Sequence, residues 1–555
     1  MHHLHHHRIT LFCALLLVGF TWWLRAPLHA LPLERDEGAY AIIAARLLAG
    51  DVLYRDLFDH KPPLVHLVYM GAVALPGDPV VAVRQWATGY LMVSGGLLFA
   101  LAWRLYGRLA ALASLALCLS YASSWRFQGL TFNSEAVLML PATLGCLLAV
   151  EALLRQRPGW LFGAGVAVGL ATLAKPIGLA LLVPLLLAPL LARWTWQRIL
   201  LGVSLAALGL LAPLLAFMLI IWMQGALGAA YEALWVYNRL YAAESLAQGW
   251  NWAQLWRIWQ PMLTLGLPAL LGWLWISLGM ALYLRRSSAR KPTMDSAPES
   301  EAVSSSKSRQ GRKARSSGLA KAEHIPTGGQ AAPQPRSMPI GWLAAHSLVS
   351  LWGLALLATA FLSLRPYPHY YLAAMPIFSL WAGAGLAWWA QGLAQRMGQT
   401  WIAALLASLI TGALIAPVPN EIAELRQMEP NDQISQLYEW DGAYFFAYAR
   451  EVAAYVANNV PPDQPIFVWA AEPQIYYLAQ RRPSSRFVYD YPVDRLPSAR
   501  EELLASLRQH APPLIITYHN VRPIGVHPFF EEQGYQLTAT IGGFDLFERR
   551  ELQDG

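Results

Sequence analysis

The sequence predicts a mainly α-helical, polytopic membrane protein with a small α/β domain at its C-terminal end. Three observations indicate this fold class. Of the 555 residues, 56% are apolar and only 14% are charged, whereas soluble domains usually carry about 25% charged residues. Apolar runs of about 20 residues, which match the hydrocarbon thickness of a bilayer, recur up to position 420. The segment 420–555 instead alternates short β-like runs with helical patterns.

Eleven apolar runs are candidates for membrane spans. The stretch 160–192 would form a single helix of about 50 Å, whereas a bilayer is about 30 Å thick. Because proline disfavours helix at the residue before it, Lys175-Pro176 is expected to divide this stretch into two short spans, and one long tilted helix is the alternative. The predicted spans are 9–29, 80–103, 109–124, 131–153, 159–174, 176–192, 199–223, 261–284, 341–363, 371–391 and 400–417.

Basic residues set the predicted orientation. Arginines such as Arg104, Arg155 and Arg396 lie at alternate turns, on the same side as a segment rich in lysine and arginine. By the positive-inside rule this side is cytoplasmic, and the protein is expected in the plasma (inner) membrane. The predicted domains are a transmembrane module 1–284 with an external loop 30–79, a disordered basic cytoplasmic loop 285–338, transmembrane helices 339–419 and an extracytoplasmic α/β domain 420–555. The basic loop is interpreted as a linker near anionic lipid, and no nucleic-acid partner is expected.

The C-terminal segment has strand and helix patterns but no chemical motif. Strands are predicted over 465–470, 486–491, 513–518 and 544–549, and helices over 441–459, 473–480 and 497–509. This segment has no nucleophile motif, phosphate-binding loop or metal-ligand spacing. The three cysteines of the chain, Cys13, Cys118 and Cys146, all fall in apolar spans. No disulfide framework is therefore expected in the outward-facing domain.

A charged loop after the first apolar span carries the strongest motif. It contains Glu34-Arg35-Asp36-Glu37, then Tyr54-Arg55-Asp56, and then His60-Lys61-Pro62-Pro63. Charged groups beside a membrane segment are costly unless they have a function. The order and spacing resemble the GT-C superfamily of polyprenyl-phosphate-sugar glycosyltransferases, above all the bacterial protein-mannosyltransferase and aminoarabinose-transferase families. The resemblance covers roughly residues 1–420. It implies inverting transfer of a sugar from a polyprenyl-phosphate donor in the membrane to a glycan, lipid or protein acceptor.

Asp36 is the candidate base, because the resemblance assigns this role to the Asp of an Asp-Glu pair. The spacing alone favours a different role for Asp36, as the N-cap of the helix predicted over 38–50. Glu37 is the second candidate catalytic carboxylate, since one acid can orient a group while the other accepts a proton. The sequence assigns no metal site and identifies no cofactor. A divalent cation at Asp36 and Glu37 is an alternative, because two adjacent carboxylates suit such an ion.

Cations on the outward side are candidate ligands of the donor phosphate, because this leaving group needs positive charge. Lys61 precedes two prolines that fix an extended turn, and interfacial snorkelling is its alternative role. Lys175 resembles a Thr-Lys step of the family, and Arg365 and His369 open a span that resembles its His-Tyr-Tyr-Leu run. The candidate residues for binding donor phosphate or lipid are Arg55, His60, Lys61, Lys175, Arg365 and His369.

Glu135, Tyr370 and Tyr371 are candidates for contact with the sugar or acceptor, or for structural support. An intramembrane carboxylate such as Glu135 indicates function, and a helix-end charge stabilised by the helix dipole is the alternative. The two tyrosines are suited to hold a sugar or to lie in the aromatic belt. A transporter or flippase of lipid-linked sugars and a non-enzymatic envelope scaffold are the alternative functions. The lack of an evident repeat favours the enzyme over the transporter.

Overall fold

The computed structural model describes residues 2–249, 252–289, 340–362, 367–438, 445–519 and 526–549. The chain forms two compact units, one comprising 1–276 with 340–555 and the other 277–339. Most of the predicted basic loop 285–338 lies outside the described residues, as does the candidate phosphate ligand Arg365. The remaining candidate residues all belong to the larger unit.

Helices dominate the described part of the chain. Before residue 290 they are α1 (His2–Arg25), α2 (Arg35–Leu48), α3 (Leu64–Val73), α4 (Pro79–Tyr106), α5 (Arg108–Tyr121), α6 (Ser134–Arg155), α7 (Trp160–Ala174), α8 (Leu182–Leu191), α9 (Trp196–Met223), α10 (Leu227–Tyr231), α11 (Asn238–Gln248) and α12 (Trp252–Ala289). After residue 339 they are α13 (Ile340–Leu362), α14 (Met375–Arg396), α15 (Trp401–Ile415), α16 (Pro417–Arg426), α17 (Pro430–Tyr438), α18 (Ala449–Asn459), α19 (Gln474–Ala479), α20 (Tyr491–Arg495), α21 (Ala499–His510) and α22 (Val526–Gln533). Short 3-10 helices include Pro176–Leu181 and Pro368–Ala374.

Eight helical segments of the described chain are long and apolar enough to cross a membrane. They are His7–Leu28, Pro79–Tyr106, Ser134–Arg155, Trp196–Met223, Met262–Leu282, Ile340–Phe361, Pro368–Arg396 and Trp401–Arg426. They correspond to eight of the eleven predicted spans, so the multi-pass membrane fold is confirmed. The other three predicted spans coincide with shorter apolar helices, over Arg108–Tyr121, Trp160–Ala174 and Pro176–Leu191. The count of eleven spans is not confirmed.

Lys175 interrupts the apolar stretch 160–192, as its position before a proline predicts. α7 ends at Ala174, and the backbone of Lys175 is extended, with φ −155° and ψ 136°. Pro176 then opens the 3-10 helix, which leads into α8. The alternative of one long tilted helix is therefore wrong, because the residue before proline is held outside the helical region.

Glycines allow two close helix crossings in the membrane part. α12 and α14 meet where a Cβ atom on Gly385 would lie 2.2 Å from the Cα atom of Gly272. α7 and α9 approach in a similar way, since a Cβ atom on Gly165 would lie 2.2 Å from the carbonyl oxygen of Ala206. Helices in lipid associate largely by van der Waals packing, and small residues let their backbones come close. These crossings therefore stabilise the arrangement of the helices in the membrane part.

The C-terminal residues form a small α/β domain around a four-stranded sheet with the order β1-β2-β4-β3. Its strands are β1 (Phe467–Trp469), β2 (Leu514–Tyr518), β3 (Tyr535–Ile541) and β4 (Phe544–Arg549). β1 and β2 are parallel, with Val468 opposite Ile516, and the other two pairs are antiparallel. The predicted α/β character is confirmed, as are the strands predicted over 465–470, 513–518 and 544–549.

The strand predicted over 486–491 is wrong, and its actual pairing connects the domain to the membrane part. Phe487 forms an isolated β-bridge with Phe58 of the external loop. The backbone N–H of Phe58 donates to the carbonyl oxygen of Arg486 at 2.7 Å. The segment therefore satisfies part of its backbone against the loop 30–79 and does not join the sheet.

We expect Gly385→Leu to lower the unfolding temperature of the detergent-solubilised protein. The added side chain would push α14 away from α12, and overpacking of this kind costs about 1–3 kcal/mol. The matched control is Gly392→Leu on the same helix, where a Cβ atom meets nothing within 4 Å. Equal unfolding temperatures for the two variants would contradict the proposed role of this crossing.

Candidate active site

Asp36 lies in the first turn of α2 but does not cap this helix. The N-cap is Glu34, whose side chain accepts the N–H of Glu37 at 3.3 Å. Glu37 in turn accepts the N–H of Glu34 at 3.1 Å, which completes a capping box. The N-cap interpretation of Asp36 is therefore wrong. Its side chain remains 43% exposed, so a reacting molecule can reach it.

Glu37 lies in a different environment from its neighbour. It is fully buried and forms an ion pair with Arg84 of α4. Its Oε1 atom also accepts the backbone N–H of Phe132 at 2.7 Å. Arg84 donates further to the carbonyl oxygens of Leu31, at 3.2 Å, and Leu130, at 3.0 Å. This places Glu37 in a supporting position, where it ties the first turn of α2 to α4 and to the chain before α6.

Lys61 lies directly beside Asp36. Its Nζ atom is 3.1 Å from Asp36 Oδ1, and the hydroxyl of Tyr40 donates to Asp36 Oδ2 at 3.4 Å. The partly buried surroundings of Asp36 oppose its ionisation, but the positive charge of Lys61 outweighs this effect and lowers the pKa of Asp36. The Asp36 carboxylate is therefore ionised at neutral pH, with Lys61 as its counter-ion.

Asp59, which the sequence analysis did not single out, is a second carboxylate near Lys61. It is fully buried, and its Oδ1 atom accepts the hydroxyl of Tyr489 at 3.0 Å. His60 Nδ1 lies 3.3 Å from Oδ1, and His66 Nε2 lies 3.1 Å from Oδ2. Burial disfavours the charge, but Lys61 and His66 outweigh it and lower the pKa of Asp59. In the sequence, the position of Asp59 directly before His60-Lys61 was the signal that could have identified it as a candidate site residue.

His60 is surrounded by aromatic side chains from two distant segments. Its Nδ1 atom lies 3.2 Å from the hydroxyl of Tyr489. Its ring centre is 5.0 Å from that of Tyr237 and 5.8 Å from that of Tyr241. Burial, followed by the charge of Lys61, lowers the pKa of His60 to about 3. His60 is therefore neutral at pH 7 and offers hydrogen bonding, not positive charge.

A second ion pair joins α6 to the break after α7. Lys175 Nζ contacts Glu135 Oε1, and it lies 3.9 Å from the centre of the Tyr370 ring. Glu135 is 1% exposed and Lys175 is 20% exposed. His369, which contacts Gln128, lies within electrostatic reach of both Glu135 and Asp36. His369 therefore connects the two ion pairs electrostatically.

The two consecutive tyrosines face different surroundings. They belong to the 3-10 helix Pro368–Ala374, in which successive side chains are about 120° apart. Tyr370 covers Lys175, whereas Tyr371 lines an apolar cavity of about 310 Å³ between α12, α13 and α14. Met262, Phe361 and Trp381 also line this cavity. An apolar space inside the membrane part thus begins next to the charged site.

Arg55 is not brought to this site by any contact that the structure describes. Its guanidinium is 51% exposed, lies 2.8 Å from Asp56 and donates to the carbonyl oxygen of Gln224 at 3.2 Å. The described residues also contain no group of three or more His, Cys, Asp or Glu side chains placed to hold a metal ion. Glu37 turns to Arg84, so the two adjacent carboxylates do not share a ligand position.

The C-terminal domain contributes a contact that sequence reasoning missed. Arg35 Nε lies 3.0 Å from Oε1 of Glu472, which is fully buried. Glu472 also accepts the hydroxyl of Tyr518 at 3.0 Å and Nε2 of Gln474 at 2.6 Å. A Cβ atom on Gly38 would lie 2.5 Å from the backbone nitrogen of Gln474, so α2 packs tightly on α19. No local signal indicates a pairing across 437 positions.

Known proteins resemble this chain in sequence over one segment and in fold throughout. Residues 60–222 match the family model of dolichyl-phosphate-mannose-protein mannosyltransferases. No curated protein matches the sequence. ArnT from Cupriavidus metallidurans, solved with undecaprenyl phosphate, is 14% identical with a TM-score of 0.54, over 99% of this chain and 98% of ArnT.

A second solved structure is the oligosaccharyltransferase AglB from Archaeoglobus fulgidus, in complex with an inhibitory peptide and a dolichol-phosphate. It is 11% identical with a TM-score of 0.50, over 98% of this chain and 75% of AglB. At these identities the structural likeness concerns the fold, while the family match concerns the segment that begins at His60. Together they confirm the predicted resemblance, and with it the expectation of a membrane glycosyltransferase with the GT-C fold.

Proposed function

We propose that this chain transfers a sugar, with inversion, from a polyprenyl-phosphate donor to a hydroxyl group of an envelope glycan, lipid or protein. The observation that carries this proposal is the Asp36–Lys61 pair, a candidate base and a candidate phosphate ligand 3.1 Å apart. The mannosyltransferase family match includes Lys61. Further support comes from ArnT, which shares the fold and was solved with undecaprenyl phosphate.

In the proposed reaction, Asp36 accepts the proton of the acceptor hydroxyl while the hydroxyl oxygen attacks the anomeric carbon. The bond between that carbon and the phosphate oxygen breaks, and polyprenyl phosphate leaves from the opposite face, which inverts the configuration. The leaving phosphate is a weak base, so it needs positive charge and no proton donor. Lys61 and Lys175 supply that charge, and the neutral His60 offers a hydrogen bond.

The apolar cavity beside Tyr371 suits the isoprenoid part of the donor. Its volume of about 310 Å³ lies among the aromatic and aliphatic side chains of α12, α13 and α14. Tyr370, the preceding residue, lies over Lys175. A molecule with an apolar chain in this cavity would therefore have its phosphate on the side of Lys175, as a lipid-linked donor needs.

Lys61 also couples donor binding to the strength of the base. In the unliganded protein it neutralises Asp36 and keeps the pKa of that carboxylate low. A donor phosphate competes for the same ammonium group. As Lys61 turns to the phosphate, Asp36 loses its main counter-charge while its surroundings still disfavour ionisation, so its pKa rises and it becomes a stronger base. The donor thereby prepares the site for the acceptor.

We expect Asp36→Asn to abolish transfer without preventing membrane insertion. The amide cannot accept the acceptor proton, and the lost base should cost about 10²- to 10⁴-fold in turnover. Mass spectrometry of envelope glycans and lipid-linked sugars from cells with and without the gene identifies the donor and acceptor for the assay. Asp432→Asn, at an exposed position on α17, is the control. Near-normal turnover by Asp36→Asn would eliminate Asp36 as the base.

The coupling predicts a pH dependence that differs between kcat/KM and kcat. Asp36 must be ionised, so activity falls as pH drops through its pKa, which is lowered in the free enzyme. The acid limb of kcat/KM for the donor should therefore lie at lower pH than the acid limb of kcat, which reports the donor complex. In Lys61→Met the acid limb of kcat/KM should move to higher pH, and the separation in pH between the acid limbs of kcat/KM and kcat should shrink. Coincident acid limbs in the wild-type protein would contradict the coupling.

We also propose that the C-terminal domain and the candidate site lie on the outer face of the plasma membrane. In a background without the three native cysteines, we expect Ala505→Cys on α21 to react with a membrane-impermeant thiol reagent in intact cells. Gln310→Cys, in the basic segment, should react only after permeabilisation, because positively charged turns stay in the cytoplasm. The reverse labelling pattern would put the site on the cytoplasmic face.

A further inference from the structure

Among the contacts of the C-terminal domain with the loop 30–79, one lies near Lys61 and another lies near Asp36. Near Lys61, the Phe58–Phe487 bridge and the hydrogen bond between Tyr489 and Asp59 connect the two parts. Near Asp36, the Arg35–Glu472 ion pair does the same. Neither contact includes Asp36 or Lys61 itself.

The contact near Lys61 supplies a hydrogen-bond donor to Asp59, the second carboxylate near this lysine. Asp36 and Asp59 both lie close enough to raise the pKa of Lys61 against the effect of burial. Asp59 is fully buried, so any donor that it lacks leaves a charged acceptor unsatisfied. The Tyr489 hydroxyl supplies one such donor at 3.0 Å. With Oδ1 of Asp59 accepting this hydrogen bond, Lys61 pairs with Asp36 and is available to a phosphate that approaches the site.

The contact near Asp36 fixes the helix that carries it. Glu472 is fully buried, accepts from Tyr518 and Gln474, and holds Arg35 at 3.0 Å. Arg35 is the residue directly before Asp36 in the first turn of α2. Because α2 also packs on α19 at Gly38 without room for a Cβ atom, this turn cannot rotate independently of the C-terminal domain.

We infer that Tyr489 and Glu472 are positioning residues of the active site, the first acting through Asp59 on Lys61 and the second through Arg35 on Asp36. The C-terminal domain thereby organises the base and the phosphate ligand before substrate arrives, which is how fixed charges contribute most to a transition state. This inference rests on the proposed function for the roles of Asp36 and Lys61. The physical contacts that it uses do not depend on that function.

Tyr489→Phe removes one hydroxyl and keeps the aromatic ring. We expect the variant to bind undecaprenyl phosphate, the probe in this experiment, about five- to tenfold more weakly, because hydrogen bonds to charged groups are the stronger ones. The control is Tyr535→Phe in the same domain, whose hydroxyl donates to the carbonyl oxygen of Pro512 at 2.6 Å, away from the loop. It should bind the probe as the wild-type protein does. Equal affinity of both variants would overturn the role of Tyr489.

Hydrogen exchange separates this inference from the proposed function. In Tyr489→Phe, and not in Tyr535→Phe, the backbone amides of the segment 57–61 should exchange faster, whether or not the protein binds the probe. If the wild-type protein fails to bind undecaprenyl phosphate, the proposed function is contradicted while faster exchange still supports the positioning contact. Unchanged exchange would overturn the contact between Tyr489 and the loop, whatever the affinity.

Glu472→Gln tests the second half of the inference. The amide keeps a hydrogen-bond acceptor for Arg35 but removes the charge of the ion pair. We expect turnover to fall about tenfold and the affinity for undecaprenyl phosphate to stay within about twofold of wild type, since Glu472 acts on the base and not on the phosphate ligand. A loss of affinity equal to the loss of turnover would indicate a general structural role and overturn this assignment.

Discussion

The candidate site depends on one buried guanidinium, that of Arg84. It forms the ion pair with Glu37 and donates to carbonyl oxygens of the chain before α2 and before α6. Breaking a buried pair by removing one partner typically costs 3–5 kcal/mol, because the other charge is left unsatisfied. Glu37 is engaged here and in the capping box, so the first turn of α2 has only one orientation. That orientation leaves the adjacent Asp36 exposed, and in this way a structural carboxylate sets the position of a reactive one.

The rest of the site follows from pairing lysines with carboxylates in a partly buried space. Lys61 with Asp36 and Lys175 with Glu135 form two such pairs, and His369 lies near both. A buried ammonium group needs a counter-ion at all times. A lipid phosphate can take over that role only by displacing a carboxylate. Of the two carboxylates, Asp36 is exposed enough for an acceptor to reach it, whereas Glu135 is buried. Asp36 is therefore the one better placed to accept a proton once a phosphate has displaced it.

Local patterns in the sequence predicted much of the fold. Hydrophobic runs located the long spans, and the single Lys175-Pro176 step located the break, because both depend on neighbouring residues alone. The three shorter apolar helices were already predicted as short spans, and the Lys175-Pro176 step accounts for two of them. β3 was missed although Tyr535, Leu537, Ala539 and Ile541 alternate with polar residues. The segment around Phe487 has a strand-like composition but pairs with Phe58, a partner that only the tertiary structure supplies.

The sequence predicted the motif residues of the candidate site but not the residues that hold them in place. Asp36, Lys61 and Lys175 stand in short sequence patterns, and the structure brings each of them beside an opposite charge. Glu34 took the capping role because its side chain, and not that of Asp36, faces the free N–H groups of α2. Arg84, Asp59, Tyr489 and Glu472 act through contacts between distant segments. No periodicity or spacing encodes such contacts, so their identification requires coordinates.

The distance along the chain between Arg35 and Glu472 has a consequence for biosynthesis. The two residues are 437 positions apart, so at about 5–20 residues per second a ribosome needs roughly 20–90 s to pass from one to the other. During that time the membrane already holds Asp36 and Lys61, but the part of the C-terminal domain that carries Glu472 has not yet been synthesised. The first turn of α2 is therefore without its Arg35–Glu472 ion pair for the whole of that time.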